Sequence, residues 1–393
     1  MKFAQYLPEN GWTPLVLSAH PRAYAHTGDD LLQEVGAATV VRRAFALDTS
    51  RHLSLRGRYA QWMALPDRWI GWLFGAVPAG LGLVRRYRPG VIWSTYPIAT
   101  AHLIGLALHR LTGLPWVADM RDPMSDNYYP LDPFLHKIYR RIENKVINSC
   151  TRVVCTTPGA VDAYRERFPH LPASHFALIE NGYDEASFAG VPAVDAAAPA
   201  ARFTLVHSGL IYPLERDPLA LFDALAALRA SGAIDAGNFQ LILRGSGHDG
   251  YLGPLIEERG IADLVLLAPQ LGYRDALAEM MRADALLVLQ AANCNHQIPA
   301  KLYEYLRAGK PILALTDPAG DTSRALLNAG IDTIARLDSK HEIMAALSGF
   351  MAAVRAGTAP VASSAAVSAS ARSARTAQLA ALLDTLLAPA PHQ

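Results

Sequence analysis

The stretch IPAKLYEYLRAGKPILAL, residues 298–315, fixes how the second half of the chain is read. Residues 300–308 have the apolar spacing of an amphipathic helix, the Gly309-Lys310-Pro311 turn stops it, and 311–314 form a short apolar run of the buried-strand kind. The polar segment 290–297 comes before it, so the helix points its N-terminal amides at whatever lies beyond the preceding strand, and that positive end suits a diphosphate. One turn into the helix, Glu304 sits where a carboxylate can accept hydrogen bonds from vicinal ribose hydroxyls. Spacing alone equally allows a solvated helix glutamate.

Outward from this stretch, strand and helix alternate. Strands are expected at 203–207, 239–244, 265–267 and 285–289, with helices at 219–231, 252–259, 274–282 and 322–329. The first half repeats the pattern: a short helix at 2–7, strands at 13–18, 39–42, 91–94, 115–119, 152–156 and 176–179, helical patterns filling 54–87, and helices at 99–111, 133–149 and 160–168. Short apolar strands alternating with helices predict α/β architecture, with doubly wound parallel sheets covered on both faces. Two domains follow from the length of 393 residues. The first spans 1–188, and an Ala- and Pro-rich linker occupies 189–201. The second domain spans 202–358, and 359–393 hold a low-complexity segment and a last amphipathic stretch.

Ligands of open α/β sheets bind beyond the carboxyl ends of the strands, which directs attention to the loops there. In the second half, Gly209 with Arg216 could receive an anion, and Gly245 and Gly247 flank a turn able to wrap a base or phosphate. Each alone is equally an ordinary turn. In the first half, His102 and Asp122 follow strand ends and are the polar groups expected to handle an acceptor or a proton. Glu143, on an otherwise amphipathic helix, is assigned a structural role.

A composition of 51% hydrophobic and 18% charged residues marks a compact globular protein, and the formal net charge of +1 gives no global reason for a nucleic-acid partner. Cys150, Cys155 and Cys294 form no CxxC pair and have no neighbouring ligands at metal spacing, which suits a reducing, cytoplasmic setting and no bound metal. No secretory signal is visible, and the apolar segment 69–84 is broken by Pro78 and too short to cross a bilayer. Trp62, Trp69, Trp72 and Phe74, near Arg85, Arg86 and Arg88, suit peripheral contact with the inner face of a membrane, or else a core-packed helix with a solvated basic end.

Six segments, in order, resemble glycosyltransferase family 4 of the GT-B superfamily: KFAQYLPENGWTPLVLS (2–18), RPGVIWSTYPIATAHLIGLALHRLTGLPWVADMRDP (88–123), IENGYD (179–184), HSGLIYPLERDP (207–218), RGSGHDGYL (244–252) and the 298–315 stretch. The resemblance implies two Rossmann-like domains facing a central cleft. It also implies a retaining, metal-independent transferase that needs no cofactor, takes a nucleotide-diphosphate sugar as donor and delivers to a glycan or lipid-linked acceptor. It makes Arg216 and Lys301 diphosphate contacts, brings Gly245 and Gly247 close to the nucleotide and gives Glu304 the ribose. A last helix, 376–387, is expected to return to the first domain.

Two departures stand out. The family pattern has a pair of glutamates separated by seven residues, and His296 occupies the first position ahead of Glu304. A neutral imidazole can donate one hydrogen bond and accept another but lacks the carboxylate charge, so its catalytic part is open. Family members also begin with a strand and a glycine-rich loop, whereas this sequence opens at the following helix, which leads to the expectation that the first strand is missing. These departures keep two further readings in view: a nucleotide-sugar epimerase, and a degenerate non-catalytic nucleotide-sugar-binding partner.

Overall fold

A computed structural model describes residues 2–27, 35–36, 39–56, 58–126, 129–191 and 202–387. Most of the 189–201 linker lies outside the described residues. The chain forms two compact units, one made of Met1–Glu180 with Arg372–Gln393, the other of Asn181–Ala371. The division falls before 188 because Tyr183 and Phe188 pack in one apolar cluster with Val206 and Leu277 of the second unit.

The first unit contains α1 (Lys2–Tyr6), β1 (Leu15–Ala19), β2 (Val40–Ala44), α2 (Thr49–His52), α3 (Trp72–Tyr87), β3 (Ile92–Thr95), α4 (Ala99–Thr112), β4 (Trp116–Met120), α5 (Pro133–Ile147), β5 (Arg152–Cys155), α6 (Pro158–Arg167) and β6 (Phe176–Leu178). Strands β3-β4-β5-β6 pair in that order and all in parallel, while β1 and β2 pair as a separate parallel two-stranded sheet. Every residue of β4 is buried, as a parallel strand covered on both faces requires. The helical stretch expected over 54–87 shortens to α3 at its C-terminal part. Arg56 sits at φ +52° and Pro66 interrupts the pattern, so among the described residues turns and a 3-10 segment at Gln61–Ala64 precede Trp72.

The second unit contains α7 (Glu185–Phe188), β7 (Phe203–Ser208), α8 (Leu219–Ala230), β8 (Phe239–Arg244), α9 (Asp249–Glu258), β9 (Val265–Ala268), α10 (Tyr273–Arg282), β10 (Ala285–Gln290), α11 (Lys301–Ala308), β11 (Ile312–Thr316), α12 (Asp321–Asn328), β12 (Ile334–Ala335), α13 (Lys340–Arg355) and α14 (Ser364–Ala369). Its six parallel strands run β12-β11-β10-β7-β8-β9. Strand periodicity divides the core: Leu287 and Leu289 of β10 join Phe222 and Leu225 of α8 and Leu347 of α13, whereas Leu286 and Val288 join Leu277 of α10 and Leu302 and Leu306 of α11. This doubly wound order reverses between β7 and β10, the topological switch point where such sheets open a crevice.

The segment after Thr358 reads as low complexity yet folds. Ser363 caps α14 by accepting from the Ala366 amide at 3.3 Å, and Ala366 and Val367 pack against the second unit's core. Alanine costs no side-chain entropy in a helix, so an Ala-rich run is helical once a capped end and a packing face exist. The chain then enters the first unit as α15 (Arg372–Leu387), whose Leu379 and Leu383 pack with Val117, Val154 and Ile179. Trp12 Nε1 donates to Asp384 Oδ1 at 3.0 Å, and Arg375 pairs with Glu180.

Candidate functional site

The switch point of the second unit gathers most of the residues singled out from sequence. β7 ends at Ser208, and Gly209 turns the chain at φ +139°, a conformation closed to residues with a side chain. A Cβ at Gly209 would lie 4.0 Å from Lys301 Cγ, so the β7 turn and the start of α11 meet. The Ser208 amide donates to the Tyr305 hydroxyl at 2.8 Å, which locks α11 onto the end of β7. At the end of β8, Gly245 continues the ladder through its amide to Ala268 O at 2.8 Å. Gly247, at φ +71°, has no room for a Cβ, which would sit 2.6 Å from Leu210 Cδ2.

Cations and one carboxylate converge here. Arg216 donates from Nη1 to Leu210 O at 2.9 Å and lies over the Tyr212 ring at 5.8 Å. Its Nε is buried and meets no acceptor among the described residues, leaving a charged donor available. Lys301 Nζ stands 2.8 Å from Glu304 Oε2, and Glu304 Oε1 accepts from the Tyr273 hydroxyl at 2.8 Å. Ala300 gives α11 no side-chain cap, so nothing on that residue competes for the first-turn amides.

His207 was not picked out from the sequence. It is 6% exposed, donates from Nδ1 to Leu287 O at 3.0 Å and has no partner for Nε2 among the described residues. Burial lowers its pKa to about 4, helped by the positive charges of Arg216 and Lys301. The imidazole is therefore neutral. Gln290 and Thr316, register partners at the ends of β10 and β11, bury Oε1 and Oγ1 without partners among the described residues. Tyr273 was missed because it reaches Glu304 from a different helix, and pairwise packing of that kind leaves no local pattern.

His296 is exposed on the segment between β10 and α11. Its neighbours anchor that segment: Asn295 Nδ2 donates to Asp317 Oδ2 at 2.7 Å, and Thr322 Oγ1 donates to Gln297 O at 3.0 Å.

In the first unit, His102 and Asp122 are not equivalent. His102 has no exposed surface. Its Nδ1 shares a hydrogen bond with Ser94 Oγ at 2.7 Å, Trp116 Nε1 donates to the same oxygen at 2.8 Å, and burial lowers the imidazole pKa to about 3. His102, expected to handle an acceptor or a proton, lies on the inward stripe of α4 with Ala99 and Leu106, a spacing visible in the sequence. Asp122 is exposed in the loop after β4. Just before it, Asp119 is 2% exposed, accepts from Thr95 Oγ1 at 2.8 Å and lies 4.0 Å from Arg121 Nη1. Burial pushes the Asp119 carboxyl up to about 6 against the opposing pull of Arg121.

Glu143 anchors the same loop. Fully buried, it accepts from the Met124 amide at 3.0 Å, Ser125 Oγ at 2.5 Å and the Tyr164 hydroxyl at 2.5 Å, and pairs with Arg167 at 2.5 Å. Among the described residues no group of three His, Cys, Asp or Glu side chains could hold a metal ion.

Comparison with known proteins bears on the fold. Residues 1–182 match the model of the glycosyl transferase 4-like domain. Solved structures match across both units. Sucrose-phosphate synthase from Thermosynechococcus elongatus has 13% identity, covers 98% of this chain and 89% of its own, and gives a TM-score of 0.60. Anabaena HepE in complex with UDP-glucose has 14% identity, coverage of 98% and 91%, and a TM-score of 0.59. WaaG, a glycosyltransferase involved in lipopolysaccharide biosynthesis, has 13% identity, coverage of 99% and 95%, and a TM-score of 0.57. A comparison with curated proteins finds no match. The chain therefore shares with these structures a fold of two α/β units with parallel sheets, and its first 182 residues resemble the glycosyl transferase 4-like domain.

Proposed function

We propose that the protein is a retaining glycosyltransferase that moves a sugar from a nucleotide-diphosphate donor to a glycan or lipid-linked acceptor. The observation that carries this reading is the convergence of Arg216, Lys301, Glu304 and the first turn of α11 at the switch point of a six-stranded sheet. The α11 amides, Lys301 and the unpartnered Nε of Arg216 would receive the diphosphate. Glu304 would exchange its contact with Lys301 for ribose hydroxyls, and Gly209, Gly245 and Gly247 keep the loops low enough for close backbone approach.

The chemical demand is to stabilise negative charge growing on the departing diphosphate, which fixed cations and helix amides do without reorganising. The acceptor proton can leave on the departing phosphate, so this assignment requires no side-chain base. Asp122 remains the first-unit side chain to test for acceptor contact, and His296 the one to test for donor-sugar contact.

A panel of UDP- and GDP-sugars, followed by calorimetry and product anomer analysis, tests the proposal. Arg216→Ala and Lys301→Ala are each expected to weaken binding of the preferred nucleotide sugar by about 10-fold or more, the worth of one charge-assisted contact. Absence of binding to every donor, or wild-type binding by both variants, would sink it. Conversion of the donor without any acceptor would instead favour epimerisation.

A further inference from the structure

Tyr273 opens α10 directly after Gly272, whose backbone at φ −57° and ψ 149° leads the chain from the end of β9 into the helix. Tyr273 and Leu277 are four residues apart and share one face of α10. Leu277 packs with Leu302 and Leu306 of α11 in one apolar cluster, which carries Tyr273, a turn earlier, to the first turn of α11. There one side chain meets two charges. Its hydroxyl donates to Glu304 Oε1 at 2.8 Å, and Lys301 Nζ stands over its ring, 5.4 Å from the centroid.

The two oxygens of Glu304 are not equivalent. Oε1 is held by Tyr273, whereas Oε2 touches Lys301 Nζ at 2.8 Å, is closed to solvent and takes no hydrogen bond of proper geometry among the described residues. A buried carboxylate oxygen of this kind keeps its capacity to accept. Burial of the Tyr273 hydroxyl, with the Glu304 charge beside it, raises its pKa, so it stays protonated and donating at neutral pH. A side chain that only braced α10 against α11 needs no hydroxyl, because Leu277, Leu302 and Leu306 already join the two helices.

We infer that Tyr273 is a positioning residue that makes Glu304 select ribonucleoside over deoxyribonucleoside diphosphates. The inference rests on the donor-site reading above. An arriving diphosphate draws Lys301 Nζ toward its own charge, and the carboxylate, tethered through Oε1, cannot follow. Oε2 is then left uncovered at a fixed place, and the vicinal hydroxyls of a ribose are the donors that fill it. A deoxyribose leaves a desolvated carboxylate oxygen short of a donor, the kind of loss by which a hydrogen-bonding site rejects an analogue. Without the phenol hydroxyl, Glu304 swings with Lys301 and keeps its ion pair, so the sugar meets no fixed acceptor.

Calorimetry on the full-length chain with UDP and GDP, and with their 2′-deoxy and 3′-deoxy forms, tests this. For the diphosphate that binds more tightly, loss of one ribose hydroxyl is expected to weaken binding to the wild type by about 10-fold or more, the worth of one hydrogen bond to a charged group. Tyr273→Phe should bring that ratio to about three-fold or less while its ring stays beneath Lys301. Glu304→Gln should reduce the ratio as well, and the double variant should go no further, because the tyrosine acts through the glutamate. Tyr273 is 47% exposed, so the Phe variant should unfold at the wild-type temperature. Wild-type discrimination in Tyr273→Phe, additive effects of the two substitutions, or equal binding of ribo and deoxy forms by the wild type would each overturn the inference and leave the donor site standing on Arg216 and Lys301. No binding of either diphosphate would overturn both readings.

Discussion

At the residue scale, Asp119 gives the clearest signature in stability. Its folded-state pKa of about 6 lies above the ordinary carboxylate value, so the folded form holds the proton more tightly than the unfolded chain does. The stabilising contribution is therefore fully present below the unfolded pKa and is lost as pH rises through about 6. Asp119→Asn retains an acceptor for Thr95 without the buried charge. It is expected to be more stable than the parent at pH 7.5 by on the order of 3 kcal/mol, with the gap closing by pH 4. Urea titrations across that range check it, and a gap independent of pH would refute the assignment. Side chains also set the limit of what sequence reveals. Glu304 and Lys301 were readable because a helix end and its first turn are local features. The burial of His102 is also encoded locally, in the Ala99, His102, Leu106 stripe.

At the scale of elements, α15 shows how a plain amphipathic pattern becomes structural. Leu379 and Leu383 are 1% and 5% exposed and lie against strands β4 and β5. Leu383→Ala should cost about 2–5 kcal/mol. Hydrogen exchange should quicken in β4 and β5 and stay unchanged in β10 and β11, since the first pair belongs to the unit that α15 joins and the second to the other. Equal quickening in both pairs would contradict that division. The alternation of strands and helices was legible because each strand is short, apolar and bounded by turn residues. The helical reading of 54–87 failed where Arg56, at positive φ, and Pro66 break the chain, although the residues around them keep a helix-compatible apolar spacing. Low complexity after Thr358 concealed α14, because composition does not show that Ala366 and Val367 find a packing partner.

At the scale of the whole molecule, a donor ligand should leave its mark on one unit. Nucleotide sugar at about 100 times its Kd should stabilise the fold by roughly 2.7 kcal/mol. Its exchange protection is expected at the β7 turn and the start of α11 in the second unit. Donor protection confined to the first unit would remove the switch-point site. The order of elements along the chain also has a temporal side. The first unit holds the earliest residues and, in α15, some of the last, with all of Asn181–Ala371 made between them. At ordinary synthesis rates the gap is roughly 10 to 40 seconds. The second unit, begun later, can finish first, and during that interval Val117, Val154 and Ile179 wait on the ribosome for the leucines that will cover them. Such a nascent chain keeps a defined apolar face uncovered until α15 has been made.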